Sequence, residues 1–323
     1  MVNNADITFT NKDITFLEKG LKYNLHNRKR NWLSTLALEA ETAINSLPHA
    51  EREYFRNKVA ENLEQLKQHD RNVNRTARSE HNTIKQIITK IQNNKATVTS
   101  ADKGNTIVIL LMQQYQLKIH NFTTNTSFQI AKANPTKTYQ NHVRKTINNT
   151  TWLIKPEHRW KYVNLNPTEP TIRALIKLHK IDQPIRPIVN WQHAPAYKLA
   201  KLLTEKIQQL ASLTYAYNIK NTSQLIQELK QTPLTPTSAF ASLNITNMYS
   251  NIPIEETKHI LYNSLTHNTI YQHTITELIN WYEIVTQQNY FENNDQIILQ
   301  KDGLAMGAPS SSIISEIFPQ NIE

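Results

Sequence analysis

Phe240-Ala-Ser-Leu-Asn-Ile-Thr-Asn-Met-Tyr-Ser-Asn-Ile-Pro253 alternates in a way that predicts a strand running into a tight turn. Ala239, Ala241, Leu243 and Ile245 fall on one face of that strand, and Phe240, Ser242, Asn244 and Thr246 on the other. Asn244 is thereby set opposite the apolar face. Beyond the turn, Pro253 followed by Glu255 and Glu256 predicts a helix start, since proline is tolerated in the first turn and carboxylates suit its positive end.

Working outward toward the N-terminus, the apolar positions Tyr197, Leu199, Leu202, Leu203, Ile207 and Leu210 predict a helix over 194–211. A second helix is predicted from about Thr222 to Leu229, begun by a hydroxyl cap. Thr171-Ile-Arg-Ala-Leu-Ile-Lys-Leu-His-Lys180 and Pro184-Ile-Arg-Pro-Ile-Val189 read as two short strands joined by a turn near Asp182. Residues 135–165 look helical, with Trp152 and Trp160 as packing anchors, before Pro167 and Pro170 break the chain. Thr97 and Val98, the turn Asp102-Lys-Gly-Asn105 and the run Thr106-Ile-Val-Ile-Leu-Leu-Met112 predict a hairpin.

Residues 1–95 carry three helical stripes. Leu33, Leu36, Ala40, Ile44 and Leu47 make the first, ended by Pro48; Phe55, Val59, Leu63 and Leu66 the second; Ile84, Ile87, Ile88 and Ile91 the third. Arg71 to Arg78, between the second and third, reads as a solvated connection rather than a phosphate contact. Toward the C-terminus, Gln300-Lys-Asp-Gly-Leu-Ala-Met-Gly-Ala-Pro-Ser-Ser-Ser312 predicts a loop leading into a terminal helix. The chain has only four glycines, and Gly104, Gly303 and Gly307 all lie in these turns. Such placement predicts positive φ or close approach by a ligand.

A net charge of +10 and a pI near 9.5 favour a polyanionic partner, nucleic acid first, beside the plainer reading of a basic protein with no such partner. Hydrophobic residues at 39% and charged residues at 19% are near globular averages. The absence of cysteine excludes disulfides, thiolate metal sites and cysteine nucleophiles. The longest apolar run, Ile107 to Met112, is too short to span a bilayer, and the polar start does not resemble a signal peptide. An intracellular protein without membrane contact is expected, in nucleus or cytoplasm. His26-Asn-Arg-Lys-Arg30 is either an import or phosphate-contact signal or solvated surface.

Taken in order, Asp102-Lys-Gly104, Lys177-Leu-His-Lys180, Arg186-Pro-Ile188, the strand from Ser242 to Pro253 and Gly303-Leu-Ala-Met-Gly307 resemble reverse transcriptases of the Penelope-like retroelements. The similarity runs along nearly the whole chain, and Phe16-Leu-Glu-Lys-Gly-Leu-Lys-Tyr-Asn24 looks like the opening of that family. The resemblance implies an α+β right-hand polymerase: an all-helical N-terminal extension at 1–95, then fingers and a partial, truncated palm at 96–323. It implies RNA template and DNA primer as partners and magnesium as cofactor. Lys177, Arg186 and Tyr249 match nucleotide-binding positions, the first two as cations for the triphosphate and Tyr249 as the aromatic under the sugar. Lys180, with Gln300, Gly303, Met306, Gly307 and Ser310, matches positions along template and primer; His179 and Lys180 fit a structural role equally well. A phosphate-binding P-loop is the alternative for the glycine loop, but no Gly-Lys-Ser or Gly-Lys-Thr follows.

Two departures matter. Asn244 holds the place of the family's catalytic, metal-binding aspartate, and its carboxamide offers one neutral oxygen where magnesium prefers an anionic one. The adjacent aspartates of the family's second metal site have no counterpart, since no Asp-Asp pair occurs in the sequence. Expected, therefore, is a polymerase fragment with magnesium binding lost or weak, no assigned metal ligand and no catalysis. The alternatives are a non-catalytic nucleic-acid-binding derivative and a decayed element product without function.

Overall fold

Ala96–Ser100 and Ile107–Leu111 pair as the predicted antiparallel hairpin. The computed structural model describes residues 1–24, 32–104, 106–124, 127–211, 219, 221–233, 235, 237–239, 241, 245 and 247–320, without side chains at 32, 68–77 and 320. The chain divides into two compact units, one of residues 1–118 and 175–186, the other of 119–174 and 187–323. Each combines helices with a sheet of mixed direction, a mixture of elements that agrees with the α+β class.

The first unit contains β1 (Val2–Asn3), α1 (Asn11–Leu17), α2 (Trp32–Asn45), α3 (His49–Asn93), β2 (Ala96–Ser100), β3 (Ile107–Leu111) and most of α4 (Met112–Thr123). β3 is the central strand, parallel to β1 and antiparallel to β2. Ile107 and Ile109 pack with Ile7, Leu17 and Ile87 on one face, while Val108 and Leu110 pack with Ala101 and Ile176 on the other. Burial on both faces explains why Ile-Val-Ile-Leu-Leu is a continuous apolar run without alternation.

Two expectations for residues 1–95 change. Arg71 to Arg78 is not a connection, because α3 runs unbroken for 45 residues, roughly 67 Å at 1.5 Å per residue. No glycine or proline lies between His49 and Asn93, so nothing interrupts the hydrogen-bond ladder despite the polar composition. The region is also not helical throughout: Val2 and Asn3 pair with Val108 and Ile109 along the edge that β3 offers.

α1 opens with a reciprocal cap. Thr10 Oγ1 accepts from the Asp13 N–H at 3.3 Å, and Asp13 Oδ2 accepts from the Thr10 N–H at 2.9 Å. Burial opposes the charge on Asp13, but hydrogen bonds from Lys90 Nζ, at 2.6 Å, and from Thr10 together hold its pKa below the ordinary carboxylate value. A depressed folded-state pKa gives stabilisation that is complete above the unfolded pKa and is lost as pH falls through the folded value. Amide protection in α1 is therefore expected to fall with acidification below the usual carboxylate range, and Asp13→Asn is expected to flatten that dependence while lowering protection at neutral pH. Hydrogen exchange across a pH series measures both.

The second unit continues with β4 (Phe128–Ile130), α5 (Thr136–Asn149), a 3-10 turn (Pro156–Tyr162), the larger parts of β5 (Thr171–Ile176) and β6 (Ile185–Asn190), α6 (Tyr197–Leu210), α7 (Thr222–Gln231), α8 (Met248–Asn251), α9 (Ile254–His267), α10 (Gln272–Gln287), β7 (Tyr290–Asn293), β8 (Gln296–Gln300) and α11 (Ser311–Gln320). The strands follow the order β4-β8-β7-β5-β6. Leu199, Leu203, Leu261, Leu278, Trp281 and Tyr282 lie fully inside the core that α6, α9, α10 and α11 build. Among the described residues, no helix is long and apolar enough to cross a membrane.

Most of the predicted strand, at 240, 242–244 and 246, lies outside the described residues; of its neighbours Ala239, Ala241 and Ile245, the last is 56% exposed. Sequence and structure part at two places here. Trp152 and Trp160 are exposed rather than anchoring, because α5 ends at Asn149; among the described side chains the buried indoles are Trp191 and Trp281. α7 is capped by the Asn221 carboxamide, which accepts from the Gln224 N–H at 3.0 Å, in place of a hydroxyl.

The α10 helix and the β7–β8 hairpin had no counterpart in the sequence reading. Asn294 and Asp295 form the two-residue turn of that hairpin, both with positive φ, at 50° and 61°. That conformation matches the twist of the flanking strands, and Asn and Asp tolerate it better than most residues.

Candidate nucleic-acid interface

Within the first unit, residues 175–186 form a basic hairpin tip. Its turn closes through backbone bonds from Lys177 N to Pro184 O at 2.9 Å and from Gln183 N to Lys180 O at 3.2 Å, with Asp182 and Gln183 at positive φ. Lys118 Nζ donates to the carbonyls of both those residues at 2.9 Å, which fixes the tip. Ile181 is 91% exposed at the apex, His179 and Lys180 are exposed, and Lys177 is half-buried. Neither Lys177 nor Lys180 forms an ion pair with another described residue.

The same unit brings the Asp102-Lys103-Gly104 turn to this hairpin. The Asp102 N–H donates to Ile176 O at 2.8 Å, and Arg186 Nη1 lies 2.9 Å from Asp102 Oδ1. The Asp102 side chain is 2% exposed and that of Arg186 50%. The guanidinium approaches off the hydrogen-bond direction and leaves Oδ1 without a hydrogen bond, so the contact is chiefly charge against charge. Arg186 thus compensates a buried carboxylate, while Lys177 and Lys180 present unpaired ammonium groups. Gly104 has φ 74°, as a tight turn requires, and an added Cβ would have Thr106 Oγ1 as its nearest neighbour at 3.9 Å. The unit holds 21 Lys and Arg against 13 Asp and Glu, a net +8, and the second unit 15 against 13, a net +2. Most of the chain's excess charge resides with this hairpin's unit.

In the second unit, residues 300–310 are laced to their own chain. Gln300 Nε2 donates to Asp302 O at 2.8 Å, Leu304 N to Tyr249 O at 2.6 Å, and Val189 N to Met306 O at 2.7 Å. Asn289 Nδ2 donates to Gly303 O at 3.0 Å in the interior, and Ser310 is buried at the start of α11. Tyr249 packs half-buried against the core. Gly303 and Gly307 have φ 73° and 129°; a Cβ on the first would stand 2.5 Å from the Ser250 carbonyl and on the second 2.1 Å from Val189 O. The close approach expected of a ligand is thus made by the protein's own backbone. A narrow cleft bounded by Pro187, Val189, Ser250, Gln300, Leu304 and Met306 opens beside this loop.

Asn244 lies outside the described residues. Among the described residues, no group of three or more His, Asp or Glu side chains is arranged to hold a metal ion, so the donor set that magnesium would need is not found there. No protein-family model matches the chain, and no curated protein matches it.

An aromatic cluster in this unit left no mark in the sequence pattern. His273 adjoins both Trp152 and Tyr271, and Glu277 holds the backbone beneath Trp152. Its carboxylate accepts from the N–H groups of Thr151 at 2.5 Å, Trp152 at 3.1 Å and Leu153 at 2.8 Å. Glu277, looking like a polar residue on a helix face, gave no signal; only the fold turns three successive amides toward it.

Proposed function

We propose that the chain is part of a retroelement RNA-directed DNA polymerase that contacts nucleic acid through the hairpin 175–186 and does not itself extend a primer. One observation carries the binding claim: Lys177 and Lys180 stand unpaired on a braced turn in the unit that holds +8 of the chain's net +10. Ammonium groups held at a fixed tip displace counterions from a phosphate backbone without first breaking an internal ion pair. Support for the polymerase class comes from the ordered sequence motifs, two of which, the Asp102 turn and the Arg186 strand, meet in one unit. The lack of extension follows from Asn244, whose neutral side chain cannot offset the charge of catalytic cations.

The test pairs two readings on one primed RNA template. Lys177→Ala/Lys180→Ala is expected to weaken binding and reduce the slope of log affinity against log salt by about two, one for each lost phosphate contact. Unchanged affinity and slope would remove the hairpin from the interface. Primer extension by the unmodified chain in magnesium would overturn the inactive reading while leaving the binding result intact.

A further inference from the structure

Trp152, His273 and Tyr271 form a run of three adjoining rings on the second unit. The Trp152 and His273 centroids are 3.9 Å apart; those of His273 and Tyr271 are 5.4 Å apart, with ring planes only 8° from parallel. Both outer members stay open to solvent, Trp152 at 66% exposure and Tyr271 at 76%. So much ring surface in water forgoes the burial that Trp191 and Trp281 obtain in the core.

The rings are held on fixed backbone. The Trp152 N–H donates to both oxygens of Glu277 at 3.1 Å, and Tyr271 caps α10, its carbonyl accepting from Thr274 N at 2.9 Å. The chain around Trp152 is strongly basic: residues 132–161 contain seven Lys and Arg against the single acid Glu157. Carboxylates on α10 are already engaged, Glu277 by three backbone N–H groups and Glu283 by Lys258 at 3.0 Å. An anionic partner reaching Trp152 thus approaches a stretch of sequence in which cations outnumber acids seven to one.

The geometry points to a platform on which the bases of a single-stranded nucleic acid stack, with the 132–161 cations following its phosphates. Every base offers a π face, so such a platform is tolerant of sequence, and only an unpaired strand has faces to give. The partner class rests on the nucleic-acid reading above, but the residues are different ones and act through rings instead of charge.

The discriminating experiment uses the full chain with a single-stranded oligothymidylate of about twenty residues and an abasic oligomer of equal length. Trp152→Ala/Tyr271→Ala is expected to weaken oligothymidylate binding roughly tenfold or more, with the salt slope unchanged and abasic binding unaffected. Trp152→Phe, which keeps a ring, is expected to restore most of the affinity while abolishing the part of the tryptophan quenching due to this indole. Loss of a similar size for both oligomers, or none for oligothymidylate, would overturn the platform; so would unaltered quenching in Trp152→Phe. Lys177→Ala/Lys180→Ala reports on the hairpin separately through its salt slope, so failure of either claim is recognisable.

Discussion

Gly307→Ala is expected to unfold the second unit or to destabilise it by roughly 4 kcal/mol or more, the scale of overpacking combined with backbone strain. The added carbon would stand 2.1 Å from Val189 O, well inside van der Waals contact, and the obstructing atom belongs to backbone that cannot swing aside. Moving it would also pull on the 2.7 Å bond from Val189 N to Met306 O, which ties the loop to β6. The φ of 129° lies where L side chains are rarely found, so strain remains even if space is made. Gly104→Ala supplies the contrast. At φ 74° with 3.9 Å of clearance it is expected to cost only about 1 kcal/mol. Urea unfolding of the two variants, followed by the fluorescence of the buried Trp191 and Trp281, measures the Gly307 effect; amide exchange in β2 and β3 measures that of Gly104.

The next largest loss is expected from Glu277→Ala, about 3 kcal/mol. Three consecutive N–H groups and the Thr151 hydroxyl lose their acceptor at once, and because these donors are only part-buried each costs about 1 kcal/mol, the low end for an unsatisfied donor. Relief is available because a cleft bounded by Thr146, Asn149, Glu277 and Asn280 opens beside the carboxylate. The neighbouring bond from Trp281 Nε1 to Thr150 Oγ1, at 2.9 Å, couples the same turn to the core. Glu277→Gln, retaining one acceptor oxygen, is expected to lose about half as much. Denaturant midpoints for the pair check this, and equal stability of Glu277→Ala and the unmodified chain would show that the amides find other partners.

Local chemistry was the part of the fold that the sequence disclosed. The hairpin around Gly104 was legible because an apolar run, a turn and a second β-type run follow one another, and the tip near Asp182 because two short strands flank it. The start of α9 after Pro253 was readable from proline and two glutamates. Tertiary complementarity was not. Gly303 and Gly307 announced unusual backbone, yet nothing in the sequence named Ser250 and Val189 as the atoms that fill the missing Cβ positions. The continuity of α3 was not legible, since its two apolar stripes, Phe55 to Leu66 and Ile84 to Ile91, are separated by polar sequence that suggested a connection, yet contains no breaker. Arg186 was legible as a cation suited to phosphate; its approach to the buried Asp102 depends on residues 175–186 meeting the Asp102 turn within the first unit.

The most direct measurement is the affinity of the unmodified chain for an RNA–DNA hybrid over a series of salt concentrations, read by fluorescence anisotropy. A braced basic tip within a unit of net +8 predicts measurable binding whose logarithm falls linearly and steeply with the logarithm of salt. Undetectable binding at low salt, or an affinity indifferent to salt, would contradict a phosphate-directed role for this protein.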